Sequence, residues 1–199
     1  FEVEYVYMMI LGAIFVVVYT FIGGFLAESA SDFMQGIVMF IALGVVLLVG
    51  ITKAGGISEV IENAKAIPGF LDFFGVASPE LSNGVQQLSA GKPIFATPVK
   101  YGPLVIISTL SWGLGYFGMP QVLLKFMAIK NPSDLKMSRR IATVWCAISL
   151  FAAVFIGIIG RVLFPDALLT TSDSESIFIL MSSSFLLPII AGLVMAGIL

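Results

Sequence analysis

Histidine is absent from this 199-residue sequence, and cysteine occurs only once, at Cys146. Without histidine the chain has no imidazole for a zinc site, for general base catalysis or for sensing pH near neutrality. A single cysteine cannot form a disulfide within the chain, and Cys146 lies in an apolar run where a small buried side chain is expected. No nucleophile, base and orienting group are placed together, and there is no metal motif, so we predict that the protein is not an enzyme.

Charged residues are also scarce, at 11% of the chain, and the net charge of −2 provides no basic surface for nucleic acid. Hydrophobic residues make up 59% of the sequence, against about half in an ordinary soluble domain. The mean hydropathy is +1.07. This composition predicts an integral protein of the cell membrane.

Five apolar segments approach or exceed the ~20 residues that an α-helix needs to cross a bilayer. They cover about 5–22, 29–51, 104–127, 141–163 and 177–199. We therefore predict an all-α integral membrane protein with about five transmembrane helices. The sequence starts at Phe1 and stops at Leu199 within an apolar run, so we expect both ends to continue into a longer polypeptide.

The segment 52–100 differs from the rest because it is rich in charged residues and prolines. Four apolar residues in it repeat at helical spacing and predict a short amphipathic helix: Ile57, Val60, Ile61 and Ala64. Basic residues cluster between the third and fourth predicted spans: Lys125, Lys130, Lys136, Arg139 and Arg140. By the positive-inside rule that connection is cytoplasmic, which makes 52–100 an external loop.

The third predicted span contains a stretch that disfavours a regular helix. Three glycines, Gly113, Gly115 and Gly118, precede Pro120, and these residue types weaken or interrupt helices. The glycines also spell G-x-G-x-x-G, but no β-α-β pattern surrounds them, so a dinucleotide site is not predicted. We predict a discontinuous transmembrane helix, a device by which transporters present backbone groups inside the bilayer.

Three side chains of this stretch are spaced four residues apart: Trp112, Tyr116 and Pro120. Two aromatic rings on one helix face can stack against a small apolar ring, while the indole and phenol supply hydrogen bonds. The alternative is that the rings only pack between helices and that the glycines permit close helix contact. The mid-span interruption favours a substrate-binding face.

A second polar group, Glu28, Asp32 and Gln35, shares one face of the second predicted span. Acidic residues in or near a membrane span are costly and are usually functional. The alternative is helix capping, since Ser29, Ser31 and Asp32 suit the start of a helix. The residues alone leave both interpretations open.

Several motifs in order give the chain a family resemblance. They are Tyr-Thr-Phe-Ile-Gly-Gly-Phe-Leu-Ala at 19–27 with Ser29-x-Ser31-Asp32, Trp-Gly-Leu-Gly-Tyr-Phe-Gly-x-Pro at 112–120, Phe-Met-Ala at 126–128 and Arg-Arg-Ile at 139–141. Together they resemble the solute:sodium symporter family. The resemblance implies part of a five-plus-five inverted-repeat transporter core. It also implies a sodium-related role for Asp32 and a substrate role for the motif at 112–120, whereas Glu28 departs from the family pattern.

The resulting hypothesis is sodium-coupled symport of proline or a related small solute across the cell membrane. The resemblance implies that Na⁺ is the coupling ion, that no resident cofactor is needed, and that the main sodium ligands lie in the remainder of the transporter chain. The expected partners are Na⁺, the solute, the lipid bilayer and that remainder. The alternative hypothesis is a membrane sensory input module of a sensor kinase with a symporter-like fold.

Overall fold

A computed structural model describes residues 4–116 and 118–197. The helices are α1 Tyr5–Lys53, α2 Ile57–Ala66, α3 Pro103–Tyr116, α4 Pro120–Met127, α5 Asp134–Leu163, α6 Thr171–Glu175, α7 Ile177–Phe185 and α8 Pro188–Ala196. The strands are β1 Gly75–Pro79, β2 Leu81–Ser82, β3 Val85–Gln86, β4 Leu88–Ser89, β5 Lys92–Pro93 and β6 Phe95–Lys100. The prediction of a mostly helical protein is confirmed, but the all-α prediction is wrong for the segment that carries the strands.

The first two predicted spans belong to one helical element, α1, which is interrupted at a single residue. Gly24 has φ 55° and ψ −148°, and the residues on both sides of it are helical. Only glycine adopts this backbone conformation without a large steric cost. Among the described residues, α1 and α5 are long and apolar enough to cross a membrane, and α3 is a shorter apolar helix. The count of five spans stays a prediction.

The chain divides into two units, each described by itself. One contains the described residues up to Ala42 and those from Leu187 onward. Within it, a Cβ atom built on Gly197 would lie 3.2 Å from Val38 Cγ1, so α8 packs closely against that part of α1.

The second unit, 43–186, has a core formed where the end of α1, α2, α5 and α7 meet. Its most deeply buried side chains are Val46, Ile156, Ile159 and Met181. A Cβ atom on Gly160 would collide with the side chain of Ile177, so glycine sets the close approach of α5 and α7.

The short amphipathic helix predicted after residue 52 is present as α2. It follows Gly55 and Gly56, both with positive φ, and ends where Ile67 turns to extended backbone before Pro68. Val60 and Ala64 are buried against the core, whereas Ile57 and Ile61 are exposed. One edge of the predicted apolar face therefore packs against the core.

Residues 75–100 form a β-arm, which we define as the three antiparallel strand pairs β1–β6, β2–β3 and β4–β5. Gly75 pairs with Lys100 at its base. The tight turns are Asn83-Gly84 and Ala90-Gly91, in which all four residues have positive φ, as type I′ turns require. A cyclic set of backbone hydrogen bonds joins the three pairs: Glu80 N to Ile94 O (3.1 Å), Ile94 N to Gln87 O (2.9 Å) and Gln87 N to Glu80 O (2.9 Å).

Two of the predicted spans are interrupted in the structure. The third is divided into α3 and α4, as predicted, with Gly118 and Met119 between them; Phe117 lies outside the described residues. The fifth is divided into α7 and α8 by extended backbone at Leu186 and Leu187, an interruption that was not predicted from the sequence. Pro188, at the start of α8, was the available signal.

Apolar side chains cover much of the surface of the described residues. Neither α3 nor α4 has a buried residue, and Phe21 and Ile189 are 89% and 88% exposed. Cys146, expected to be buried, is exposed. A surface of this kind requires lipid or further protein to cover it.

Candidate functional site

The interruption between α3 and α4 has a defined hydrogen-bonding pattern. Gly118 N donates to Gly115 O (3.1 Å), and Met119 N donates to Tyr116 O (3.3 Å), so the end of α3 tightens before the chain leaves it. Met119 is extended, with φ −69° and ψ 127°, and its carbonyl accepts from Val122 N and Leu123 N at the start of α4. Pro120 lies in the first turn of α4, where backbone N–H groups have no partner within the helix. The missing N–H of proline therefore costs no helical hydrogen bond there.

Trp112 and Tyr116 lie side by side on the last turns of α3. Their ring centroids are 5.8 Å apart with an interplanar angle of 35°, and the side chains are 75% and 48% exposed. Among the described residues neither the indole N–H nor the phenol O–H makes a hydrogen bond. Pro120 is exposed at the start of the next helix. The structure thus brings the two rings together, with Pro120 across the interruption.

The glycines of this stretch do not serve as helix-packing residues within the described chain. Cβ atoms built on Gly113 and Gly115 would meet nothing within 4 Å. Both glycines lie inside α3 and not at the strand-to-helix turn of a dinucleotide-binding motif. Small residues here leave the backbone beside the two rings accessible.

Asp32 and Glu28 lie inside α1 and are exposed, and Gln35, one turn after Asp32, is partly buried. After the interruption at Gly24 the helix resumes with Phe25, so Asp32 is two turns beyond the point where a cap would act. The capping alternative is therefore wrong for Ser29, Ser31 and Asp32. Asp32 belongs to one unit and the Trp112–Tyr116 pair to the other.

A polar cluster that was not predicted from the sequence lies at the end of α5. Arg161 Nη2 donates to Gln86 Oε1 (3.2 Å), and the guanidinium carbon lies 4.6 Å from the centre of the Phe95 ring. The available signal was a lone arginine near the end of a long apolar run. Its partners were not predictable, because they lie in the β-arm, more than sixty positions earlier in the chain.

Long apolar helices, one of them interrupted beside exposed aromatic side chains, are typical of membrane transport proteins. The family model described as the sodium:solute symporter family matches residues 1–199. The chain belongs to the sodium:solute symporter family. Membership of this family places it in the cell membrane, as its composition predicts.

The chain is similar over its whole length to proteins with known names. It is 36% identical over 200 residues to the "Osmoregulated proline transporter OpuE" of Bacillus subtilis (strain 168), covering 100% of this chain and 36% of that protein. It is 34% identical over 199 residues to the "Sodium/proline symporter" of Staphylococcus aureus (strain Newman), covering 100% of this chain and 34% of that protein. The chain thus spans about a third of the length of these relatives. No solved structure matches it.

These relatives are named as transporters, which agrees with the prediction that the chain is not part of an enzyme. The sensor-kinase alternative gains no support from them.

Proposed function

We propose that the chain forms part of a symporter that couples the entry of Na⁺ to the uptake of proline or a related small solute. The observation that carries the proposal is the similarity, along all 199 residues, to a protein named as a sodium/proline symporter. An ion moving down a membrane potential of 100 mV releases about 2.3 kcal/mol per charge. One Na⁺ per solute therefore supports roughly fifty-fold accumulation from the voltage alone.

In this proposal Trp112, Tyr116 and Pro120 contribute to the substrate site. The two rings present an exposed, mutually supported aromatic face, and both carry an unused hydrogen-bond donor. The pyrrolidine ring of proline can pack on that face, while backbone groups near Gly118 and Met119 approach the ammonium and carboxylate groups of the solute.

Asp32 serves the sodium-dependent step. Its carboxylate lies within an apolar helix, where acidic residues are rare and usually functional, and hard cations prefer oxygen ligands. Most of the sodium ligands come from the rest of the transporter chain, which also completes a five-plus-five inverted-repeat core with about five spans from this segment. The loop 52–100, including α2 and the β-arm, faces the outside.

Uptake of radiolabelled proline by cells expressing the full-length protein tests this proposal. We expect uptake to require Na⁺ and to fall when choline replaces it. Trp112→Ala and Tyr116→Ala should raise the KM for proline about five-fold or more at normal protein abundance, because a stacking partner is lost. Tyr116→Phe keeps the ring, so a KM close to that of the wild type assigns Tyr116 to stacking.

Phe151 and Phe155 provide a matched control. They form a second aromatic pair one turn apart on α5, with ring centroids 4.4 Å apart, in which Phe151 is exposed and Phe155 is half-buried, and they lie outside the proposed site. Phe151→Ala should leave the KM unchanged. Sodium-independent uptake would contradict the symport proposal, and unchanged KM in both alanine variants would contradict the assigned substrate site.

A further inference from the structure

Arg161 and Gln86 join the β-arm to the end of α5. Gln86 is only 5% exposed, its backbone N–H donates to Leu169 O (2.8 Å), and its side-chain amide donates to Ile94 O (2.9 Å). This arrangement leaves Oε1 of Gln86 to accept the hydrogen bond from Arg161. The guanidinium is thereby held at a fixed place, with one side against the ring of Phe95.

The positive charge of Arg161 is not neutralised within the described residues. Its contacts there are a neutral amide and an aromatic ring, and no described carboxylate lies within ion-pair distance. A guanidinium has five N–H donors, and the Gln86 bond uses one of them. Arginine presents the remaining donors in a planar fork that suits phosphate and carboxylate groups.

Two adjoining cavities open beside this guanidinium. The first, of about 300 Å³, follows α5 along Val154, Gly157 and Ile158 to Arg161, with α2 on its other side. The second, of about 330 Å³, lies between Arg161 and Lys92 of the β-arm. Asn63, Ile67 and Arg161 line both cavities, and neither is lined by an acidic residue. The result is an apolar groove about two helical turns long that ends at two cations and an amide.

We propose that this groove binds an anionic phospholipid of the phosphatidylglycerol type. The phosphate lies between Arg161 and Lys92, near Asn63, and an acyl chain follows Val154, Gly157 and Ile158 along α5. Charge complementarity favours the anionic headgroup, because both cations lack an acidic partner in the cavity lining. The apolar length of the groove favours a lipid over a soluble anion, and the last turn of a spanning helix lies at headgroup depth.

Thermal stability of the purified full-length protein in neutral detergent, titrated with lipid, tests the proposal without measuring transport. We expect phosphatidylglycerol to raise the Tm at lower concentration than phosphatidylcholine does. Arg161→Gln should raise the half-maximal phosphatidylglycerol concentration about ten-fold, because charged hydrogen bonds to the phosphate are lost. Arg161→Lys keeps the charge and should retain most of the preference for phosphatidylglycerol.

Two further arms separate the possible outcomes. Lys92→Gln removes the positive charge of an exposed side chain and should raise the half-maximal concentration about three-fold. Lys100→Gln, in the same β-arm but outside both cavities, should not change it. Inorganic phosphate and glycerol 1-phosphate should stabilise the protein far less than the lipid. Equal stabilisation by these soluble anions, equal effects of the two lipids on the wild type, or an unchanged response of both Arg161→Gln and Lys92→Gln would overturn the proposal.

Discussion

At the scale of single residues, the position of Asp32 inside α1 separates two roles for its carboxylate. A cap would tolerate asparagine, since asparagine caps a helix about as well as aspartate. A sodium-linked carboxylate would not, because asparagine keeps the shape and removes the charge. The structure places Asp32 two turns beyond Gly24, which excludes the cap.

We therefore predict that Asp32→Asn in the full-length protein raises the Na⁺ concentration needed for half-maximal proline uptake about ten-fold or more, with little change in abundance. Sodium titration of initial uptake rates measures this. Glu28→Gln, one turn earlier on the same exposed face, is the control and should have the smaller effect. An unchanged sodium titration in Asp32→Asn would remove Asp32 from the coupling step.

The same scale shows why some contacts were predictable and others were not. Trp112 and Tyr116 are one helical turn apart, so helix geometry alone places their rings in contact. Arg161 and Gln86 are 75 positions apart, and their contact depends on how the β-arm folds back onto α5. The periodicity of the sequence cannot predict a contact between residues so far apart in the chain.

At the scale of helices and strands, the junction of α5 and α7 depends on a glycine. Gly160 is buried against Ile177, whereas Gly157, one turn earlier on α5, has open space beside it. Both Gly160→Ala and Gly157→Ala improve helix propensity by a similar amount. The difference between the two variants therefore isolates the cost of crowding Ile177.

We expect Gly160→Ala to be less stable than Gly157→Ala by roughly 1–3 kcal/mol, the usual cost of overpacking a filled core. Thermal unfolding of the purified, delipidated full-length protein, compared between the two variants, measures the difference; lipid is removed because Gly157 also lines the proposed lipid groove. Equal Tm values would show that α5 and α7 separate easily and that their close approach does not determine stability.

Helices and interruptions that have a clear local sequence signal were predictable, whereas elements with a weak local signal were not. Pro120 with three preceding glycines predicted the interruption between α3 and α4, and the apolar spacing in 57–64 predicted α2. The β-arm was missed because its strand pairs are only two to six residues long and are interrupted by prolines, although Asn83-Gly84 is a strong hairpin signal. The hydropathy of residues 75–100 indicated only that this segment is more polar than the predicted spans.

At the scale of the whole molecule, topology makes a prediction that does not depend on substrate. If 52–100 is external and the connection before α5 is cytoplasmic, a cysteine in the β-arm reacts with a membrane-impermeant thiol reagent in intact cells. We expect Ser89→Cys to be labelled from outside and Ser133→Cys to be labelled only after permeabilisation. Both side chains are exposed serines, so the pair is closely matched.

The labelling is measured in a full-length protein whose native cysteines, including Cys146, are replaced by serine. Labelling of both positions in intact cells, or of Ser133→Cys alone, would contradict the proposed orientation. The reverse pattern would place α2 and the β-arm on the cytoplasmic side, and the basic connection on the outside.

The β-arm leaves and rejoins the rest of the chain at nearly the same place, because Gly75 pairs with Lys100 and Tyr101 N donates to Phe74 O (2.7 Å). These contacts at the base of the β-arm therefore fix the distance between the end of α2 and the start of α3. The distance does not depend on how many residues the arm contains. Peptide inserted at the exposed Asn83-Gly84 turn would enlarge the arm without pushing these helices apart. If the arm is external, that turn offers a place for an epitope by which living cells displaying the protein could be counted and sorted.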